Sequence, residues 1–68
     1  MTIRHLKVFL AVAETGKMSA AAEQLFIAQP SVSQAIADIE KYYNVRLFER
    51  LSRKLYITPA GERLLDYA

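Results

Sequence analysis

The chain has 68 residues, a formal net charge of +2, and 53% hydrophobic and 24% charged residues. That balance fits one small globular domain with a modest core and excludes a disordered tail. No apolar run approaches a membrane span, no charged segment followed by an apolar one opens the chain, and there is no cysteine for a disulfide or a thiolate, so a cytoplasmic protein is expected.

Ile3, Leu6, Phe9, Leu10 and Ala13 recur at helical spacing and predict a first helix over 3–15 with that stripe inward. Thr2 suits its N-cap, and Gly16 suits a left-handed residue after its end. A second helix is expected to start at Ser19, a good N-cap, and to end near Leu25. Ala20, Ala21 and Ala22 are small enough to let another helix cross closely. Phe26, Ile27 and Ala28 form the turn.

A third helix is predicted over 29–43. Pro30 falls in its first turn, where a missing N–H costs nothing. At about 100° per residue, Val32, Ile36, Ile39 and Tyr43 form one apolar stripe, directed at the first two helices. Pro30, Gln34, Ala37 and Lys41 lie opposite, with Ser33 on the flank. Asn44 follows as the left-handed residue. Leu47-Phe48 and Leu55-Tyr56-Ile57 flank the polar segment 49–54, which reads as a two-stranded β-hairpin with a basic tip. Thr58 then offers an N-cap and Pro59 a first helical residue, so a last helix begins there. Leu64, Leu65 and Ala68 form its apolar edge, and the helix is expected to continue beyond Ala68, as in a fragment of a longer protein.

A short helix, a tight turn and a second helix with a polar outer face form a helix-turn-helix, whose second helix lies in the major groove of DNA. Three features suit that partner. Helix N-termini present N–H groups and a positive dipole end to phosphate, here at Met18, Ser19 and Ala20 and at the start of the third helix, where Ser31 stands. Gln29, Ser33 and Gln34 are polar and forward-placed for base edges, and Pro30 offers an apolar contact to a thymine methyl. Between Lys41 and Arg63, six basic residues (Lys41, Arg46, Arg50, Arg53, Lys54, Arg63) stand against Glu49 and Glu62. Of these, Arg53 is suited to a narrow minor groove, Lys54 lies beside it, and Arg50 is better suited to a phosphate.

Leu6, Phe9, Ala13, Glu14, Gly16, Ala21-Ala22, Leu25, Gln29-Pro30, Ser33, Ile36, Glu40, Leu47-Phe48, Arg50, Arg53 and Thr58-Pro59-Ala60-Gly61 form an ungapped pattern over nearly the whole chain. By that pattern the chain resembles the N-terminal DNA-binding domain of the LysR-type transcriptional regulators. The resemblance implies a mostly α winged helix-turn-helix over 1–58, with a three-helix bundle and a two-stranded wing, followed by the start of a linker helix over 59–68. It also implies a larger regulator that forms dimers or tetramers and whose C-terminal domain binds a small-molecule co-inducer. Paired linker helices, meeting through Leu64, Leu65 and Ala68, would set two recognition helices on an approximately palindromic operator, with half-sites one or more turns of about 10 base pairs apart.

Several positions depart from the family pattern. Ala28 replaces a usual serine and removes the N-cap hydroxyl of the recognition helix, which costs about 1 kcal/mol. Lys17 replaces another serine and adds a charge placed to meet phosphate. Gln34 stands where many members carry arginine, which shifts preference from guanine toward adenine. Asn44 stands where glycine is usual.

Catalysis has no constellation to support it. His5 is the sole histidine and has no cysteine or carboxylate at metal-ligand spacing, so it is assigned a structural role and no metal or cofactor is expected. Asp38 and Glu40 point to different helix faces, and Ser19, Ser31 and Ser33 have no adjacent base. Gly16 and Gly61 are isolated and build no phosphate cradle. Tyr42, Tyr43 and Phe48 are expected in core and rim packing. The competing function of a different class is a winged-helix module for protein–protein contact, which would bind DNA without salt dependence or not at all.

Overall fold

The computed structural model describes residues 2–52 and 54–67. Four helices and one hairpin follow in order: α1 Ile3–Thr15, α2 Met18–Leu25, α3 Gln29–Tyr43, β1 Phe48–Leu51, β2 Lys54–Ile57 and α4 Pro59–Tyr67. This is a winged helix-turn-helix. The helices α1, α2 and α3 pack on one another in all three pairings, β1 pairs with β2, and α4 rests on β2.

The local signals explain most boundaries. Thr2 caps α1 in a capping box: its Oγ1 accepts from the His5 N–H at 3.4 Å while the Thr2 N–H donates to His5 Nδ1 at 3.3 Å. Gly16 closes α1 with φ 75°, and Asn44 closes α3 with φ 55°. The helix α2 begins at Met18, one residue before the expected start, so Ser19 lies inside its first turn and Lys17, two residues before Ser19, holds the cap position without a side-chain bond. Thr15 explains the shift, because its Oγ1 accepts the Lys17 N–H at 3.4 Å and donates to Ala11 O at 2.7 Å, which folds the chain into α2 early.

Burial on α1 differs from the expected stripe. Val8, Phe9, Ala11 and Val12 are buried, whereas Leu6, Leu10 and Ala13 are half-buried and Ile3 is 74% exposed. The buried arc is centred more than a third of a turn from the expected one, since residues advance by about 100° each. Phe9 lies at the border and meets the Phe48 ring at a centroid distance of 5.6 Å. The helix thus faces α2 and α3 with one side and borders the segment before β1 with the other, and two apolar stripes are used.

On α3 the inward residues are Val32, Ile36 and Ile39, as the periodicity predicts. Tyr43 departs from that stripe: it is 46% exposed at the rim and packs edge-on against Tyr42 at 5.0 Å. Ala21 and Ala22 are buried at the helix crossing. The hairpin pairs Phe48 with Ile57, Glu49 with Tyr56, Arg50 with Leu55 and Leu51 with Lys54, so its strands extend into the segment read as a polar tip. The loop is two residues long, and Ser52 takes φ 50°, the sign that primed hairpin turns need.

The join to α4 is tight. Thr58 Oγ1 accepts the Gly61 N–H at 3.0 Å and donates to Arg46 O, while the Thr58 N–H donates to Leu47 O at 2.9 Å. Leu47 is fixed from its other side, its N–H donating to Glu40 Oε2 at 2.7 Å. Gly61 is buried here, and a Cβ on it would lie 2.5 Å from Leu47 O and 2.7 Å from Ile57 Cγ1.

Candidate nucleic-acid interface

One surface gathers the N-terminus of α2, the turn after it and the front of α3. Apolar packing positions it: Val32, Ile36 and Ile39 anchor α3 from behind, so its opposite face is left to solvent. Gln29, Pro30, Ser31, Ser33 and Gln34 are all exposed there. Phe26 makes the turn with φ 57°, its N–H donating to Glu23 O at 3.3 Å and the Ile27 N–H to Ala22 O at 3.0 Å. That closes α2 and lets α3 leave at an angle, although the Phe26 side chain itself is 95% exposed.

The two helix starts differ. At α2, Met18, Ser19 and Ala20 occupy the first turn, whose N–H groups have no intrahelical acceptor, and Lys17 is exposed beside them. At α3 the cap residue Ala28 makes no side-chain bond, as expected of alanine, and Pro30 brings no N–H. The Ser31 N–H turns back to Ala28 O at 3.0 Å. Of the two, the N-terminus of α2 therefore presents the more open set of backbone donors.

Two of the forward side chains have partners. Ser33 Oγ lies 4.0 Å from Met18 Sδ, a weak bond that ties α3 to the start of α2. Gln34 Nε2 donates to Asp38 Oδ1 at 2.8 Å. Asp38 Oδ2 meets His5 Nε2 at 3.3 Å, so α1 reaches the outer face of α3 through its lone histidine. The Gln34 bond first, and then the His5 bond, holds the Asp38 carboxyl below its ordinary range. This network was missed in the sequence, where Asp38 was weighed only as a catalytic acid. The spacing of four between Gln34 and Asp38 was the available signal.

Arg50 and Lys54 are exposed, and Arg50 shares the strand face of buried Phe48 but sits nearer the tip. Arg46 and Glu49 approach to 3.9 Å, an exposed pair of little energetic weight. The proposed minor-groove residue Arg53 and the helix-edge residue Ala68 lie outside the described residues. On α4, Leu64 is half-buried against the core, while Leu65 remains 40% exposed. Leu64 also borders a groove lined by Leu6, Tyr43, Leu47, Ala60 and Tyr67. Among the described residues no group of acidic, histidine or cysteine side chains is arranged to hold a metal, and no helix is long and apolar enough to cross a membrane.

Comparison with known proteins meets this geometry. The family model described as bacterial regulatory helix-turn-helix protein, lysR family, matches residues 3–62. The transcriptional activator CmpR of Synechocystis is 45% identical over 65 residues, which cover 96% of this chain and 21% of CmpR. The chain therefore spans about a fifth of the length of that relative. A LysR-family transcriptional regulator from Eggerthella lenta superposes with a TM-score of 0.94 at 43% identity, over 98% of this chain and 96% of that one. The BenM DBD in its complex with catB site 1 DNA superposes with a TM-score of 0.93 at 40% identity, over 98% of this chain and 75% of that one.

Proposed function

The chain belongs to the lysR family of bacterial regulatory helix-turn-helix proteins, and on that premise we propose that α3 reads base sequence in the major groove while the wing approaches the adjacent minor groove. The observation that carries this reading is the exposed front of α3, where Gln29, Pro30, Ser33 and Gln34 stand over an apolar stripe that fixes the helix from behind. Glutamine and serine reach base edges with donors and acceptors, and proline meets a thymine methyl. Lys17, Met18, Ser19, Ala20 and Ser31 contact phosphates at the two helix starts, and Arg50 and Lys54 do so along the wing. Arg53 is assigned to the minor groove on its sequence position at the wing tip.

The full-length regulator is proposed to be a cytoplasmic dimer or tetramer on an approximately palindromic operator, joined through the α4 edge at Leu64, Leu65 and Ala68. A C-terminal domain beyond this chain would bind the small-molecule co-inducer. The chemistry proposed for this chain is recognition without catalysis. The direct test is selection of bound sites from random duplex DNA. Enrichment of one motif with inverted symmetry supports the reading, and a pool that stays random after repeated rounds refutes it.

A further inference from the structure

The amide of Gln34 is oriented before any DNA arrives. Its Nε2 donates to Asp38 Oδ1, and the second oxygen of that carboxylate takes His5 Nε2. His5 Nδ1 accepts the Thr2 N–H, which puts the imidazole proton on Nε2 and makes the ring a donor to Asp38. A carboxylate with donors on both oxygens stays ionised at neutral pH, in line with its lowered pKa, and an ionised carboxylate only accepts. Turning the Gln34 amide over would set Oε1 against Oδ1, two acceptors with no proton between them. Nε2 therefore points along the helix toward Asp38, and Oε1 is left at the other end of the amide.

We propose that Asp38 is a positioning residue that makes Gln34 an acceptor-presenting reader, selecting a base with an exocyclic amine in the major groove. Cytosine N4 and adenine N6 are such donors, whereas guanine O6 and N7 and thymine O4 are acceptors that oppose Oε1. A free glutamine pairs bidentately with adenine, using Nε2 and Oε1 together. The Nε2 group carries two protons, so one stays on Asp38 Oδ1 while the other can join Oε1 in the bidentate pair, and adenine keeps its advantage over cytosine. The inference rests on the reading that α3 occupies the major groove.

The test is competition among duplexes that carry each base in turn at every position of a selected site. It is run with the parent chain, Gln34→Ala and Asp38→Ala, each checked for folding by thermal melting. Gln34→Ala identifies the position Gln34 reads, by flattening it. At that position the parent should favour adenine over guanine and thymine by about fivefold or more, the worth of at least one hydrogen bond. Asp38→Ala frees the amide to turn over and offer Nε2 to acceptor bases, so it should lower the preference for adenine over guanine by about fivefold there and leave the other positions unchanged. If Gln34→Ala flattens a position but Asp38→Ala keeps the parent ranking there, the orientation by Asp38 is wrong while the major-groove reading stands. A uniform loss of affinity in Asp38→Ala with the ranking preserved overturns it as well, as a merely structural role. If Gln34→Ala flattens no position, Gln34 reads no base and both readings of it fail together.

Discussion

Replacing Gly61 with alanine tests how the wing and α4 are locked to the bundle. The new Cβ would sit 2.5 Å from Leu47 O and 2.7 Å from Ile57 Cγ1, both closer than real carbon contacts. Neither neighbour yields easily. Leu47 is held by the Thr58 N–H on its carbonyl and by Glu40 Oε2 on its own N–H. Ile57 is β-branched, with few rotamers to move into. Overpacking of this kind costs about 1–3 kcal/mol. Alanine recovers part of that, at most about 1 kcal/mol, because it is the better helix former. A net loss of about 1–2 kcal/mol remains, and at roughly 4–8 °C per kcal/mol for a domain of this size Tm should fall by about 5–15 °C. Thermal unfolding followed by circular dichroism measures it. A melting temperature equal to or above the parent's would refute the close approach of α4 to Leu47.

Three further outcomes follow from particular residues. Ala28→Ser should supply the missing side-chain cap of α3, whose cap residue already has the extended conformation (φ −72°, ψ 146°), and stabilise the fold by about 0.5–1 kcal/mol; denaturant titration would show an unchanged midpoint if no cap forms. The Asp38 pKa is lower in the folded chain than in the unfolded one, so its contribution is present at neutral pH and is lost as the pH falls below about 4; Asp38→Asn should therefore unfold less steeply with acid than the parent, and identical acid titrations would contradict the bonds from Gln34 and His5. A chain extended by two or three turns of α4 should sediment as a dimer and prefer paired half-sites, driven by the exposed Leu65 edge; a longer chain that stays monomeric and binds single half-sites as tightly would rule out the helix-edge dimer.

The sequence made α3 and the hairpin legible because one dominant signal governs each. Val32, Ile36 and Ile39 mark a single stripe, Asn44 ends the helix, and Thr58-Pro59 starts the next. The inward face of α1 was not legible, because the helix is apolar around most of its circumference. Ile3, Leu6, Leu10 and Ala13 make as regular a stripe as Val8, Ala11 and Val12, and only the positions of α2 and α3 decide between them. The start of α2 was misplaced because Ser19 is the better cap by type, while the Thr15 hydroxyl, acting across the turn, opens the helix earlier. Tyr43 fits the helical period of α3, yet it lies past the end of the bundle where nothing covers it fully. At the candidate interface, the exposed residues Gln29, Pro30, Ser33 and Gln34 were found from spacing alone. The bond that orients Gln34 was harder to foresee, since His5 reaches its partner Asp38 from another helix. Gly61 appeared only as an isolated glycine, and its meaning depends on a carbonyl fourteen residues earlier in the chain.

The central claim is that this surface binds DNA through phosphate contacts at the helix starts and the wing, with specificity set by α3. The most direct measurement is the affinity of the chain for a selected duplex and for a scrambled one across a series of salt concentrations. The account predicts affinity that falls linearly on a log–log plot for both duplexes, with a slope that decreases by about 0.9 when Arg50→Ala removes one phosphate contact. It also predicts tighter binding to the selected duplex at every salt concentration. Affinity that does not change with salt, or that is equal for the two duplexes, would contradict it and favour a protein-contact module.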